Sequence, residues 1–371
     1  MRVLVVNAGS SSLKLRLLDP SDRVVATADL GAPDELGTDE LGAALSGLGA
    51  FDAVGHRVVH GGTDFREPVV IDDEVRDRIA GLRALAPLHQ PGGLRGIDLV
   101  RSLAPDVPAV ACFDTAFHAT LPPAASTYAV PADWRDRLGV RRYGFHGLSH
   151  AYAARRAAEL AGPAPRPDGG PPLRVVSCHL GAGASLTAVA GGRSVDTTMG
   201  FTPLEGLVMA TRSGTVDPGA ITWLVTEAGL DAAAVADALE HRSGLSALAG
   251  TADMAEVVAR AEDGDADAAL ALDVTVHRLR ASIAAMAAAM GGLDVLVFTG
   301  GVGERAPAVR TRTAAGLGFL GLAVDPDTDA AAEPDAEVTA DGAAVRTFVV
   351  AAREDVEVAR GTRRVLAGWP G

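Results

Sequence analysis

Two stretches of the chain share one hydrophobic pattern, in which two apolar runs flank a turn of small residues. Residues 3–18 predict a strand, a tight turn and a second strand, and residues 173–189 predict the same arrangement. The two turns lie about 173 residues apart, and the dipeptides Ser12-Leu13 and Ser185-Leu186 follow them at matching places. This internal similarity predicts two duplicated domains.

Further strands and helices are predicted between and after these two stretches. Residues 20–50 are loosely patterned and give no motif. A linker is predicted at Gly162–Pro172, where five of eleven residues are proline and three are glycine. Because strands alternate with helices, we expect an α/β fold. The remaining predictions are strands at Ala53–Val59 and Pro108–Phe113, helices at Asp72–Leu85 and Ser149–Leu160, and a strand with a glycine-rich turn within Leu293–Arg310.

The composition describes a globular protein and disfavours two classes of partner. Hydrophobic residues make up 48% and charged residues 22% of 371 residues, a length that suggests two domains. The net charge is −14 and no basic stripe is present, so we expect no nucleic-acid partner. The most apolar stretch, Ala281–Met290, is about half of the ~20 residues that a membrane span needs. We therefore expect no membrane partner.

The two cysteines, Cys112 and Cys178, both lie in apolar runs that are typical of strands. Buried thiols of this kind indicate packing rather than a disulfide framework, and so a reducing compartment. The N-terminus enters a strand directly, without the basic segment and apolar run of a signal peptide. We therefore expect a cytoplasmic protein.

Lys14 is the one lysine among 33 basic residues, and it follows the small-residue turn that contains Gly9, Ser10 and Ser12. An ammonium is a compact point charge, whereas a guanidinium is a wide planar fork. A turn of this kind can offer backbone N–H groups and hydroxyls to an anion, within reach of the lysine. The pattern favours a phosphate loop, and the alternative is a surface hairpin.

Five dense clusters of chemistry-bearing residues lie where predicted strands end. Each has a structural alternative, such as a packed core histidine or a solvated corner. Their co-occurrence with glycine-rich turns is what phosphoryl transfer requires, because that reaction depends on positioning and charge neutralisation. The clusters are Gly55–Gly62, Phe113–His118, Arg141–His150, Cys178–Gly183 and Asp196–Gly214.

In these clusters, and in further segments found in the same order along the chain, the sequence closely resembles the acetokinase family, the acetate and propionate kinases. The resemblance implies two duplicated actin-like ATPase (ribonuclease H-like) domains with a cleft between them. It implies a Mg²⁺-dependent enzyme (Mn²⁺ is an alternative) that reversibly transfers a phosphoryl group from ATP to acetate, giving acetyl phosphate and ADP. It also implies a homodimer. We expect an N-terminal domain at 1–150, rejoined by a C-terminal helix at 356–371, and a nucleotide-binding domain at 151–355.

The resemblance also assigns roles to individual residues, each by its match to the family's motifs. Asp114, His146 and Arg212 would be catalytic, and Asn7 and Glu354 would hold the metal. Because a carboxylic acid is already ionised at pH 7, we expect Asp114 to hold metal-bound water or orient an arginine rather than act as a base. The substrate would contact Arg57, Val59, Leu88, His89, Phe145 and Pro203. The nucleotide would contact Lys14, Ser10, Ser12, His179, Leu180, Gly181, Ala182, Gly183, Asp253, Met254, Ala255, Gly301, Val302, Gly303, Glu304 and Arg305.

Several residues depart from the family's pattern, mostly on the nucleotide side. Ala182 replaces an asparagine, Ala255 replaces an arginine, and Arg305 stands where the family has asparagine. Three alternatives therefore stay open: a propionate or butyrate kinase, a carboxylate kinase with a donor other than ATP, and a non-catalytic nucleotide-binding protein of the same superfamily. The carboxylate-binding pattern around Arg57 and Arg212 disfavours the last one.

Overall fold

The computed structural model describes residues 1–9, 12–86, 90–162 and 172–368. Contacts between residues divide the chain into two units. Unit 1 comprises Met1–Ala119, Phe145–Tyr152 and Arg353–Gly371, and unit 2 comprises Thr120–Gly144 and Ala153–Ala352. This division places residues 120–144 in unit 2, whereas the predicted domain bounds at 150 and 355 place them in the N-terminal domain. The predicted domain bounds and the predicted cleft stay predictions.

Each unit contains one six-stranded sheet within the described residues. The strands are β1 (Val3–Ala8), β2 (Leu13–Leu18), β3 (Val24–Leu30), β4 (Ala53–Val58), β5 (Val69–Val70), β6 (Ala109–Phe113), β7 (Arg174–Leu180), β8 (Ala184–Ala190), β9 (Arg193–Thr197), β10 (Val295–Thr299), β11 (Ala336–Glu337) and β12 (Arg346–Val349).

The two sheets have the same topology. The strand order is β3-β2-β1-β4-β6-β5 in unit 1, and read in the matching direction it is β9-β8-β7-β10-β12-β11 in unit 2. In each sheet three consecutive strands form an antiparallel meander, two further strands join in parallel, and a short strand closes the edge antiparallel. The predicted duplication of an α/β domain is confirmed.

The helices of the described ranges cover these sheets. Short 3₁₀ segments lie at Leu82–Leu85, Asp114–Thr120 and Gly318–Leu320. The α-helices are α1 (Thr38–Leu48), α2 (Asp73–Gly81), α3 (Gln90–Leu103), α4 (Pro123–Ser126), α5 (Ala132–Asp136), α6 (Gly147–Ala161), α7 (Pro218–Thr226), α8 (Ala232–His241), α9 (Gly244–Ala249), α10 (Met254–Glu262), α11 (Ala266–Ala289), α12 (Gly300–Arg305), α13 (Pro307–Ala315), α14 (Pro326–Ala330) and α15 (Glu354–Ala367).

Local sequence explains why the central elements form where they do. β1 is a run of valine and leucine that is buried on both faces, as expected for a strand inside a sheet covered by helices. α2 begins after Asp72, whose side chain accepts a hydrogen bond from the Val75 N–H at 2.8 Å. α11 buries residues such as Leu272, Leu279 and Ile283 on one face, with helical spacing.

One helix prediction was wrong in detail, and one stretch without a prediction has regular structure. The helix predicted at Asp72–Leu85 ends at Gly81 and continues as a 3₁₀ turn. The stretch 20–50, which gave no motif, contains β3 and α1. The linker predicted at Gly162–Pro172 falls mostly outside the described residues. In the part of the chain that is described, no helix is long and apolar enough to cross a membrane.

Candidate active site

Three predicted site residues of unit 1 lie at the carboxyl ends of adjacent parallel strands. Asn7 of β1 is paired in register with Arg57 of β4, and Arg57 is paired with Cys112 of β6. Asp114 follows directly after β6. The carboxyl ends of parallel strands meet at one edge of a sheet, which is where ligands bind in open α/β folds. The sheet therefore brings these three side chains together.

Arg57 is the centre of this group. Its Nη2 lies 2.7 Å and its Nε 3.4 Å from the two carboxylate oxygens of Asp114, so the pair is bidentate. Its Nη1 donates to Asn7 Oδ1 at 3.1 Å, and its Nε lies 3.4 Å from Glu354 Oε2 in α15. The Arg57 side chain is 19% exposed and that of Asp114 is 1% exposed. A planar fork is needed to reach all three partners at once, which a lysine lacks.

Burial and the neighbouring charges shift the pKa values of Arg57 and Asp114 in different directions. Burial raises the pKa of Asp114 to about 6, helped by the Glu354 carboxylate and opposed by the Arg57 guanidinium. Burial also disfavours the charge on Arg57, but the carboxylates of Asp114 and Glu354 more than offset it and raise its pKa. Both groups are therefore charged at pH 7, and Asp114 becomes neutral in mildly acidic solution.

The start of α6 holds Asp114 and places His146 beside it. The Leu148 N–H donates to the Asp114 carboxylate. A Cβ atom at Gly147 would lie 2.0 Å from the Asp114 carbonyl oxygen, so only glycine permits this close approach. His146 precedes the helix with a φ of 56°, and its carbonyl accepts the His150 N–H at 2.9 Å. His146 therefore directly precedes, in the chain, the glycine whose backbone lies against Asp114.

Buried histidines line the backbone at Phe145. His60 packs edge-on against the Phe145 ring at 5.5 Å, and His118 Nε2 lies 2.9 Å from the Phe145 carbonyl oxygen. Burial lowers the pKa of His60 to about 4, so its ring is neutral at pH 7. Gln90 supports His60 by donating to its carbonyl at 3.2 Å. These contacts fix the buried ring of Phe145, a predicted acyl-binding residue.

The first predicted phosphate loop lies between β1 and β2. The Gly9 N–H donates to the Ser12 carbonyl at 2.8 Å, and Lys14 is exposed and paired in register with Asn7. Val59 is half-buried just after β4. Three predicted contacts, Ser10, Leu88 and His89, lie outside the described residues.

In unit 2, two glycine-rich turns meet at the carboxyl ends of β7 and β10. Thr299 is paired in register with His179, and a Cβ at Gly300 (φ +81°) would lie 2.7 Å from the Leu180 carbonyl oxygen. A Cβ at Gly181 would lie 3.8 Å from His179 Nε2 and 4.0 Å from the Gly301 amide nitrogen. The predicted phosphate-binding segments His179–Gly183 and Gly301–Arg305 are therefore neighbours.

Glu304 connects the turn at Gly300–Arg305 to the segment that follows β12. Its Oε1 accepts hydrogen bonds from the Gly300 N–H at 3.1 Å and from the Ala352 N–H at 2.9 Å. Its carboxylate is therefore used to hold backbone, and Arg305, the residue that departs from the family pattern, is exposed. Gly303 packs against the backbone of Phe298. The glycines of this turn permit close packing as well as an open approach to a ligand.

Beside these turns lies a mostly apolar pocket of about 370 Å³, within the range of small-molecule sites. Asp253 forms part of its wall and caps α10 by accepting the Ala255 N–H at 2.8 Å. Met254 is buried, and Ala255 is exposed. The pocket is lined by Leu180, Gly181, Ala182, Ala184, Leu207, Val208, Met209, Ala210, Leu245, Ala252, Asp253, Met254, Thr275, Leu279, Val302 and Val309.

Arg212 also lies in unit 2, in a tight turn after Met209. Its Nη1 donates to the Pro203 carbonyl at 3.3 Å, and its Nε lies 3.2 Å from Glu240 Oε1. A Cβ at Gly244 (φ +63°) would lie 2.2 Å from the Met209 carbonyl oxygen, so glycine lets α9 pack against this turn. Sequence reasoning missed Glu240, because nothing near it in the chain marks it as a partner of Arg212.

The oxygens near Arg57 fit a magnesium ion only as a partial ligand set. Among the described residues, no group of three or more His, Cys, Asp or Glu side chains is arranged to hold a metal. One amide and two carboxylates nevertheless contact Arg57: Asn7, Asp114 and Glu354. Mg²⁺ is commonly held by one or two carboxylates and completed by substrate phosphates and water. The residues present therefore fit an ion that binds together with a nucleotide.

Comparison with known proteins settles the family. The model of the acetokinase family matches residues 39–360, most of the chain. The chain belongs to the acetokinase family. Its resemblance in the clusters around Arg57, Asp114, His146 and Arg212 is thereby explained. This family membership was predicted from the sequence and is confirmed.

Individual members of the acetokinase family match along nearly the whole chain. An acetate kinase of Leifsonia xyli subsp. xyli is 46% identical, covering 98% of this chain and 99% of the relative. The crystal structure of a propionate kinase from Francisella tularensis subsp. tularensis superposes with a TM-score of 0.89 at 32% identity, covering 98% and 99% of the two chains. Acetate kinase from Porphyromonas gingivalis also has a TM-score of 0.89, at 35% identity and the same coverage.

Proposed function

We propose that this protein is an acetate kinase, which transfers a phosphoryl group reversibly between ATP and acetate. The observation that carries the proposal is the buried Arg57, held in a fixed plane by Asn7, Asp114 and Glu354 at the carboxyl edge of a sheet. A fixed guanidinium fork suits a planar carboxylate and the oxygens of a phosphoryl group. A protein that only bound nucleotide would have no use for it.

In the proposed reaction, a carboxylate oxygen of acetate attacks the γ-phosphorus of ATP. A new O–P bond forms, the bond from phosphorus to the β,γ-bridging oxygen breaks, and ADP leaves with that electron pair. Acetate is ionised at pH 7, so the step needs no base. Asp114 therefore acts by orienting Arg57. By their match to the family's motifs, Arg57, Arg212 and His146 would donate to oxygens on which charge develops, the largest single contribution in many such sites.

We propose that the nucleotide binds in unit 2. Backbone N–H groups of the turns at Gly181 and Gly301 would contact its phosphates, and the apolar pocket beside them, about 370 Å³, would take the base. The pocket offers Thr275 and Asp253 as polar groups. By the family resemblance, Lys14 would neutralise phosphate charge. Because Ala255 provides no guanidinium for the nucleoside, the identity of the donor is part of the test.

We propose that Asn7 and Glu354 hold a divalent cation, Mg²⁺ or in its place Mn²⁺, once the nucleotide is bound. When bound, the ion supplies charge neutralisation at the phosphate oxygens. The Glu354 carboxylate lies 3.4 Å from Arg57, so the same residue would also help to hold the guanidinium. Glu354→Gln would test this, because the Mg²⁺ concentration for half-maximal rate should rise while the apparent KM for acetate stays within a small factor.

We propose further that the protein is a cytoplasmic homodimer. Every residue of α7 is exposed or half-buried although the helix carries Ile221, Trp223 and Leu224, and Trp223 is 57% exposed. An apolar patch of this kind is typical of an interface. Cys112 and Cys178 are both buried free thiols, which supports a reducing compartment. Light scattering should give about twice the chain mass, and Trp223→Asp should lower it.

The proposed function is tested by a coupled assay of the purified full chain with Mg²⁺. Acetate, propionate and butyrate are compared as acceptors, and ATP, GTP and pyrophosphate as donors. We expect the highest kcat/KM with acetate and ATP. One extra methylene in the acid changes the free energy by which an enzyme discriminates between two substrates by only ~1–3 kcal/mol. Some activity with propionate is therefore expected. A preference for propionate, or for another donor, would correct the substrate. No activity with any pair would contradict the proposal.

A further inference from the structure

A second polar cluster in unit 2 surrounds the carboxylate of Glu205. Arg142 Nη2 donates to Glu205 Oε1 at 2.8 Å, and the Tyr128 hydroxyl donates to Glu205 Oε2. The Arg142 guanidinium also lies over the Tyr128 ring, 5.5 Å from its centroid. Burial, reinforced by the bond to Glu205, raises the pKa of Tyr128. The three side chains therefore form one network, in which Tyr128 keeps its proton at neutral pH.

The network holds backbone of the segment 198–205, which has no regular secondary structure. Arg142 Nη1 donates to the Thr198 and Met199 carbonyls at 3.1 and 3.0 Å. The Tyr128 oxygen accepts the Phe201 N–H at 3.1 Å. A Cβ at Gly200 would lie 1.8 Å from Glu205 Oε2 and 2.0 Å from the Tyr128 oxygen. The segment is thus packed directly onto the network.

Pro203 lies between the two points at which the network holds this segment. Phe201 is held through its N–H by Tyr128, and Glu205 is held through its carboxylate. The Pro203 carbonyl in turn accepts a hydrogen bond from Arg212 Nη1 at 3.3 Å. A displacement of Pro203 would therefore move one of the groups that fix the Arg212 guanidinium, beside Glu240 and the Met209 sulfur.

We propose that Tyr128, Arg142 and Glu205 are positioning residues that set the place of Pro203 and, through its carbonyl, of the Arg212 guanidinium. The inference rests on the proposed function, in which Arg212 donates to the oxygens of the phosphoryl group, and on the family resemblance, by which Pro203 would contact the substrate. In the part of the chain that is described, the hydrogen bonds from the network to the backbone run to Thr198, Met199 and Phe201, and none of these lines the nucleotide pocket. Loss of the network should therefore weaken use of the acid and leave use of the nucleotide unchanged.

The test compares Tyr128→Phe and Glu205→Gln with wild type in the full-length enzyme. Both variants keep the shape of the side chain. A hydrogen bond to a charged group is worth ~1.5–3 kcal/mol, which is about 10- to 150-fold in an equilibrium constant. Because the effect on Arg212 is indirect, we expect the KM for acetate to rise ~5- to 20-fold, with the KM for ATP within 2-fold of wild type. The matched control is Arg137→Ala, which removes an exposed ion pair with Asp133 in the neighbouring α5.

KM separates positioning from simple destabilisation, since a smaller folded fraction lowers the apparent kcat and leaves KM unchanged. A second readout does not depend on catalysis. Amide hydrogen exchange within 198–212 should accelerate in Tyr128→Phe, which loses the acceptor for the Phe201 N–H, and stay unchanged in Arg137→Ala. Wild-type protein that is inactive with every acid would contradict the proposed function, and the exchange experiment would still decide the inference.

Two results would overturn the inference. One is an unchanged KM for acetate in both variants together with unchanged exchange in 198–212. The other is an equal rise of the KM for acetate and for ATP, which would show that the cluster supports the whole unit rather than the acyl end.

Discussion

Arg57→Lys keeps the positive charge at the centre of the proposed site and removes the fork that distributes it. Arg57 makes three hydrogen bonds, two to Asp114 and one to Asn7, and an ion pair with Glu354. A single ammonium at the end of a flexible chain can face Asp114 or Asn7 but does not span both. One or two hydrogen bonds to a charged group are lost, each worth ~1.5–3 kcal/mol. We therefore expect unfolding to cost ~2–4 kcal/mol less than in wild type.

The catalytic loss should be larger than the loss of stability alone would cause. A preorganised donor to a developing oxyanion contributes a factor of ~10²–10³ to kcat, and we expect a loss of that size for Arg57→Lys. The assay is initial rate against acetate at saturating ATP, with folding checked by circular dichroism and urea unfolding. Arg16→Lys is the matched control, because Arg16 pairs with Asp29 on the same sheet, with Asp29 59% exposed. A turnover within about 5-fold of wild type in folded Arg57→Lys would refute the reasoning, since charge alone would then suffice.

Three further predictions address the carboxylate, the pocket and the start of α6. Because the pKa of Asp114 is raised to about 6, kcat/KM should fall as the pH drops below 6. This acidic limb of the pH profile should be missing from the residual activity of Asp114→Asn. If the acidic limb persists in that variant, it belongs to another group. Ala252→Phe should fill part of the pocket and raise the KM for ATP at least 10-fold with the KM for acetate unchanged, as measured by steady-state kinetics. Gly147→Ala should destabilise the protein by about 2 kcal/mol or more in urea unfolding, because its Cβ would meet the Asp114 carbonyl oxygen. The control is Gly47→Ala in α1, whose Cβ meets nothing within 4 Å and which should stabilise the protein by up to ~1 kcal/mol. Equal changes in the free energy of unfolding would contradict the packing argument.

The repeated strand, turn and strand pattern was the most reliable guide to the fold. Apolar residues at residues 3–18 and 173–189 predicted β1, β2, β7 and β8, and the duplication they suggested appears in the matching order of both sheets. β1, β7 and β8 are buried on both faces, and β2 alternates between buried and more exposed positions along most of its length, so all four have a clear pattern. The edge strand β3 is largely exposed and has little such pattern, which is why residues 20–50 gave no prediction.

The chemical clusters were visible in sequence because each is short and dense, but their contacts were not. The partner of Arg57 in α15, Glu354, lies about 300 residues away in the chain, and only the fold of unit 1 brings the two within 3.4 Å. The Tyr128 hydroxyl likewise contacts both Glu205 and the Phe201 N–H, more than 70 residues further along the chain. A local pattern predicts a local element, whereas a contact of this kind depends on the whole topology.

The central claim, that the acid is phosphorylated at the group held by Arg57, is tested most directly by ³¹P NMR of the purified full chain with ATP, Mg²⁺ and acetate. We expect an acetyl phosphate resonance that grows together with those of ADP and requires acetate. In folded Arg57→Ala its rate of growth should fall by orders of magnitude, while Arg16→Lys should match wild type. Release of inorganic phosphate alone, independent of acetate, or a normal rate of acetyl phosphate formation in Arg57→Ala, would contradict the account.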